Sequence, residues 1–250
     1  MSVKSQVSAQ EWSVRVELAA AYQLAFLHRM ADHIYTHISA RVPGDEEHFL
    51  INAYGLTFDE ITPASLVKVD LDGKVILDET GLGINPAGFV IHGAIHGARH
   101  DVGCVMHTHT AAGVAVSAQR RGLLMISQHA MRFHRRLSYH DYEGVALELD
   151  ERERLIADLG STNAMILRNH GLLVCGVDVA DAFDAMYYLE RACQIQVNAL
   201  AGDVQIVEPS AAVAEKVALQ FDKPDRVSRA KQWPAMLRML KRSNPAFDAE

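Results

Sequence analysis

His107 and His109 flank Thr108 at the end of an apolar run, and this spacing is the chain's most direct suggestion of chemistry. In a strand, side chains at i and i+2 project from the same face. Both imidazoles could therefore converge on one divalent ion while Thr108 points away. A catalytic ion needs further protein ligands and an open position for substrate or water. His170 is the best candidate for a third ligand, because Asn169-His170-Gly171 directly follows the apolar run Met165-Ile166-Leu167. Gly171 would permit a tight or left-handed backbone at the rim of a sheet. Spacing alone equally accommodates three unrelated polar residues at strand ends.

A second concentration of reactive side chains lies downstream. His129, His134, Tyr139, His140 and Tyr142 share one short stretch with Arg132, Arg135 and Arg136. Near a Lewis-acidic metal, a His or Tyr could protonate an enolate or activate water, and Arg could hold a carboxylate. A polar loop at an oligomer interface would have the same composition. His92, His96 and His100 recur at helical spacing and can share one face. The His92-Gly-Ala-Ile-His96 run lacks the glutamate of a zinc peptidase helix, so no second metal site is expected there. Gly81-Leu82-Gly83 reads as a turn.

The elements that must position these residues follow from periodicity and turn chemistry. A helix is expected over 9–34, capped by Ser8 or Ser5, and a strand at Phe49-Leu50-Ile51-Asn52. A hairpin is expected from the runs 66–71 and 74–77 around Asp72-Gly73. Next come a helix over 87–100 after Pro86, a strand over 102–107, a small-residue helix near 110–119 and a strand near 125–133. Residues 151–160 read as helix, 163–168 and 172–175 as strands, and 178–200 as a long helix. The stretch 210–243 carries helical patches separated by Pro224 and Pro234. This alternation lacks the regular rhythm of a dinucleotide-binding fold and favours one layered α/β domain with a substantially antiparallel sheet.

Composition narrows the function. The 250 residues carry 24 Lys and Arg against 31 Asp and Glu, a formal charge of −7. That balance offers no footprint for nucleic acid. Cys104, Cys175 and Cys193 are far apart and form no CxxC, which argues against a disulfide framework or thiolate zinc site. No apolar run reaches membrane-spanning length and no apolar leader opens the chain, so a cytoplasmic protein without a membrane partner is expected. The 13 histidines are the unusual number, since His is the commonest metal ligand.

Several segments together resemble the class II aldolase/adducin family. Cys104-Val105-Met106-His107-Thr108-His109-Thr110 is similar to its first metal-binding segment, and Leu167-Arg168-Asn169-His170-Gly171-Leu172-Leu173 to its second. Ile38-Ser39-Ala40-Arg41 and Ser138-Tyr139-His140-Asp141-Tyr142-Glu143-Gly144 add to the likeness, the latter on the adducin-like side. The resemblance spans residues 10–202. It implies a three-layer α/β/α fold, an ion on His107, His109 and His170, and homotetramers with active sites between subunits. The expected organisation is a single domain over 1–250 with its core at 10–202 and a helical tail at 203–250. Two departures stand out. Where family aldolases carry an acid/base carboxylate, the aligned residue is Gly88. The aldolases' phosphate pocket is replaced by Thr36-His37, Tyr54-Gly55 and Pro86-Ala87.

The expectation is a metal-dependent, aldehyde-lyase-like enzyme acting on a small carbonyl or hydroxy-acid substrate by retro-aldol C–C cleavage through a metal-stabilised enediolate. Zinc is the first choice of ion, with Fe(II) and Mn(II) as alternatives. His37, His129, Tyr139 and His140 are the candidate catalytic residues. The competing readings are an iron-dependent oxidative decarboxylase or oxygenase of the same fold, and a noncatalytic adducin-like scaffold.

Overall fold

Alternating apolar and polar positions in the strands are resolved by a sheet with helices on both faces. The computed structural model describes residues 2–44, 47–144, 150–202, 204–222 and 228–249. After a short turn of helix, α1 (Val3–Gln6), comes α2 (Ala9–Leu27), whose first turn is capped by the Ser8 hydroxyl accepting from the Glu11 amide at 3.0 Å. Strands β1 (His37–Arg41), β2 (His48–Ile51), β3 (Val67–Asp70) and β4 (Val75–Leu77) follow, then α3 (Pro86–Ala98) and β5 (Cys104–Thr108). Next are α4 (Ala111–Ser117), α5 (Gln128–Met131), β6 (Leu137–His140), α6 (Asp150–Leu159), β7 (Ala164–Leu167), β8 (Gly171–Gly176) and α7 (Val179–Ala199). Helices α8 (Ala211–Phe221) and α9 (Trp233–Ser243) complete the chain.

Among the described residues the eight strands form one sheet in the order β4-β3-β2-β1-β5-β8-β7-β6. Every neighbouring pair is antiparallel except β6 with β7. The period of two sorts β5 cleanly. Cys104 and Met106 join the core under α2 and α7, while Val105 joins the core under α3 and α6 with Ile95, Leu155 and Leu173. The mixed, largely antiparallel three-layer architecture is the expected one. Among the described residues no helix is long and apolar enough to cross a membrane.

Three local expectations need correction. Helix α2 stops at Leu27, because Arg29, His33 and Thr36 adopt positive φ (58°, 48° and 70°) and cannot continue a right-handed helix. The strand expected near 125–133 is replaced by α5, whose first turn is initiated by the Ser127 hydroxyl accepting from the Ala130 amide at 3.1 Å. Pro234 sits inside the first turn of α9, where proline is tolerated, and does not divide the helical patches. Pro224 lies outside the described residues. Strands β1 and β6 are additional; their polar side chains hid the alternation. The tail also joins the main core, with Trp233 and Leu240 packed beside α2 and α7 and the Asn244 amide donating to Gln23 at 2.8 Å.

Polar groups hold α3 to the sheet. Ser39 projects from β1 on the α3 side, and its Oγ lies 2.6 Å from His92 Nδ1 and 2.8 Å from His96 Nε2. Arg41, two residues on, donates to the His96 carbonyl at 2.6 Å. His96 also stacks on Phe49, with ring centroids 4.7 Å apart. His92 and His96 are fully buried, whereas His100, beyond the helix, is exposed. Burial pushes His96 down to about 3, the Arg41 charge adding to it. Burial likewise drives His92 well below its ordinary value, aided by His37 and His96.

These imidazoles stay neutral in the fold, while their unfolded counterparts take up protons below about pH 6.5. The folded values lie below the unfolded ones, so stability is complete above that pH and declines towards pH 3. Each such imidazole should cost about 1.4 kcal/mol per pH unit below 6.5. Urea unfolding at pH 7.5, 6.5 and 5.5 should show this decline, and His96→Gln should remove about one proton's worth of the slope. An unchanged slope in that variant would contradict the assignment.

Candidate metal centre

Strand β5 delivers the first two histidines. Its last residue, Thr108, turns towards α7 and donates to Met186 Sδ at 3.3 Å. His107 therefore faces the α3 side, and His109 follows just past the strand end. His170 comes from the tight link between β7 and β8. There Asn169, not Gly171, takes the left-handed backbone (φ 54°). Gly171 is required for a different reason: a Cβ there would fall 2.3 Å from the Thr108 carbonyl oxygen. Close approach of β8 to β5 is what carries His170 to the other two.

The three side chains converge through their Nε2 atoms. His109 Nε2 lies 2.8 Å from His107 Nε2 and 2.9 Å from His170 Nε2. Each residue's ligand atom is within 4.8 Å of the others, and among the described residues these are the three that could share an ion. His107 Nδ1 donates to the Leu172 carbonyl at 2.9 Å, which fixes its proton there and turns the Nε2 lone pair inward. His109 Nδ1 lies 3.1 Å from Asp32 Oδ2, so its proton is held on the outer side in the same way. Lone pairs aimed at one another without a cation repel. Zn–N bonds of about 2.0–2.1 Å would hold such atoms roughly 3.3 Å apart in tetrahedral geometry, a small relaxation from these contacts. The donor set fits a divalent ion.

Electrostatics agree with that fit. Burial drives His107 well below its ordinary value, with His170 and His109 adding to it. Burial also brings His170 down to about 4, helped by His109 and His140. Neutral imidazole is the form that binds metal. Carbonyl and carboxylate partners behind the ligands set tautomer and orientation, as such outer partners generally do.

The triad opens on a cavity of about 460 Å³. His37 lines it, and its ring is only 5% exposed, with both nitrogens lacking a hydrogen-bond partner. The neighbouring Thr36 Oγ1 is likewise buried and unpaired. Burial, with His109 adding, brings His37 down to about 3. A Cβ built on Gly88 would fall 2.3 Å from the His37 ring. The imidazole therefore occupies the room that any side chain at 88 would need.

The other sequence-derived candidates are placed differently. His140 is buried with Nδ1 2.7 Å from Asp158, and it borders a small cleft with Tyr142 and His170. Tyr139 accepts from the Leu123 amide at 3.0 Å and lies under Arg168, outside the walls of the cavity. His129 rests against Tyr188 of α7, 5.4 Å between centroids, and does not line the cavity either. Arg132 is paired with Asp184 at 2.7 Å, and Arg136 donates through Nε to Asp222 at 2.9 Å. Sequence reasoning missed Asp32, which fell in the stretch expected to continue α2, and Tyr35, which lies just beyond it. The break in that helix had no proline or glycine to announce it.

Comparison with known proteins bears on the family and the fold. The sequence model of the class II aldolase and adducin N-terminal domain matches residues 16–197. A crystal structure of an aldolase II superfamily protein from Pseudomonas syringae is 57% identical, superposes with a TM-score of 0.94 and covers 99% of this chain and 100% of that one. L-fuculose 1-phosphate aldolase from Glaciozyma antarctica is 25% identical, with a TM-score of 0.86 over 97% of this chain and 94% of that one. Alpha-adducin from Rattus norvegicus is 45% identical over 190 residues, 75% of this chain but 26% of the longer adducin. This chain belongs to the class II aldolase and adducin N-terminal domain family.

Proposed function

We propose that this protein is a metal-dependent lyase that cleaves a C–C bond of a small carbonyl or hydroxy-acid compound in the retro-aldol sense. The observation that carries the reading is the convergence of three Nε2 atoms, two with their outer nitrogens held by Leu172 and Asp32, at the end of an open cavity. His107, His109 and His170 would hold the ion, with zinc the first choice and Fe(II) and Mn(II) as alternatives. When bound, the ion supplies Lewis acidity that favours negative charge on a substrate oxygen as the bond breaks.

The chain's own residues supply the rest. His37 is neutral and its nitrogens have no protein partner, so one of them can accept a hydrogen bond from a substrate hydroxyl and orient it. Thr36 Oγ1 offers a second uncharged partner beside it. His140 borders a small cleft with His170 and is held by Asp158, whereas His129 and Tyr139 are assigned no substrate contact. A cytoplasmic homotetramer is part of this proposal. Tyr35 and Tyr142, 48% and 54% exposed at the cavity rim, fit a site closed by a neighbouring subunit. Likeness to alpha-adducin supports a second, noncatalytic reading. An inward-facing triad with oriented tautomers favours the enzyme, because a scaffold has no use for an open ligand set.

His109→Ala should abolish stoichiometric metal, measured by elemental analysis, and with it aldehyde release from hydroxy-carbonyl compounds. Full metal occupancy in that variant would overturn the ligand assignment. Asp32→Asn should weaken metal binding by about 10–100-fold in a chelator competition. His37→Ala should keep its metal yet lose about 100-fold in turnover; unchanged turnover would remove His37 from the mechanism.

A further inference from the structure

We propose that the substrate of this site is an unphosphorylated aromatic hydroxy-carbonyl compound, its oxygens directed at the triad and its ring held among Tyr35, Tyr54 and Tyr142. The proposal rests on the lyase reading only in taking the triad as the end that receives the oxygens. The cavity offers no lysine or arginine among the described residues that line it. The charged side chain held against the triad is an acid, Asp32 on His109, and not a cation that could pair with a phosphate. Phosphate recognition without cations would have to come from backbone amides, and α3 begins at this cavity, with Asn85, Ala87 and Gly88 in its wall.

That helix end is already satisfied. Pro86 has no N–H, the Ala87 amide donates to the Asn85 side chain at 3.1 Å, and the Phe89 amide donates to the Asn85 carbonyl at 3.0 Å. Within the first turn only the Gly88 amide is left for a ligand. A helix N-terminus receives an anion through several free amides acting together, and here they are spent internally.

Aromatic surface takes the place of charge. Tyr35 and Tyr54 stand 6.5 Å apart at an interplanar angle of 54°, on the side of the cavity next to β1. Tyr142 lies beside His170, 6.2 Å between centroids and steeply inclined at 70°. These rings bracket a cavity of about 460 Å³ whose wall is chiefly apolar, within the usual range for a small-molecule site. The polar groups of this wall apart from the triad, namely the three tyrosine hydroxyls, Asn85, Thr36 and His37, include no lysine or arginine and suit hydroxyl and carbonyl oxygens rather than a phosphate dianion. A polyhydroxylated sugar would leave most of its hydroxyls facing carbon, whereas one planar ring with a short oxygenated arm uses both surfaces.

Calorimetric titration of the zinc-loaded protein with 2-hydroxyacetophenone, dihydroxyacetone and dihydroxyacetone phosphate tests this directly. The aromatic ketone should bind about tenfold tighter than dihydroxyacetone, and the phosphate should add nothing. Tyr54→Ala and Tyr142→Ala should each shrink the aromatic advantage while zinc content stays at one per chain. Tightest binding of dihydroxyacetone phosphate, or an aromatic advantage that survives both substitutions, overturns the proposal. Equal binding of the two unphosphorylated ketones overturns the substrate class alone. Failure of all three compounds to bind the zinc-loaded protein overturns the lyase reading as well.

Discussion

The position of one proton organises this site. His107 donates from Nδ1 to the Leu172 carbonyl across the β5–β8 pair, and that bond decides which nitrogen presents a lone pair to the cavity. Antiparallel register puts Leu172 within reach, and register in turn requires β8 to lie close against β5 at Gly171, where a side chain would strike the Thr108 carbonyl. Were the ring to take the other tautomer, a proton would stand between His107 and His109. The sheet therefore acts as more than a platform: its hydrogen-bonding pattern sets the electronic state of a ligand.

Much of the polar chemistry lies on the α3 side of the sheet. β1 and β5 pair His37 with His107 and Ser39 with Val105, so His37, Ser39 and His107 share one face. Ser39 ties that face to His92 and His96. Beside this buried row, His37 leans on Gly88, with both nitrogens buried and without a protein partner. An acid at position 88 and an imidazole at position 37 would compete for one volume. Gly88 and His37, noted separately in the sequence, are thus coupled in the fold: the ring at 37 fills the room that a side chain at 88 would need.

The residue spacing made the ligands legible because a strand's period of two leaves His107 and His109 little choice of direction. His170 was legible because a polar pair after an apolar run marks a strand end. Gly171 is expected from sequence to permit a tight or left-handed backbone, whereas its place in the fold is set by the close approach of the Thr108 carbonyl, which leaves no local signature. Asp32 was hidden by helical periodicity that carries on past the true end of α2, where Arg29 and His33 take left-handed backbone without glycine, and Tyr35 follows just beyond the expected helix. His129 and Tyr139 looked active because they stand near His140 in sequence. In the fold that stretch spans α5 to β6, and its side chains pack against α7, Arg168 and Asp158. Proximity along the chain says little about a site assembled from strand ends.

The central claim is that one divalent ion sits among the three Nε2 atoms. Crystals grown with zinc, measured at wavelengths either side of the zinc absorption edge, test it most directly. One strong anomalous peak per chain is expected, bonded at about 2.0–2.1 Å to Nε2 of His107, His109 and His170, with His107 Nδ1 still on the Leu172 carbonyl. An ordered triad with no peak, or zinc bound through Asp32 with His109 displaced, would contradict it.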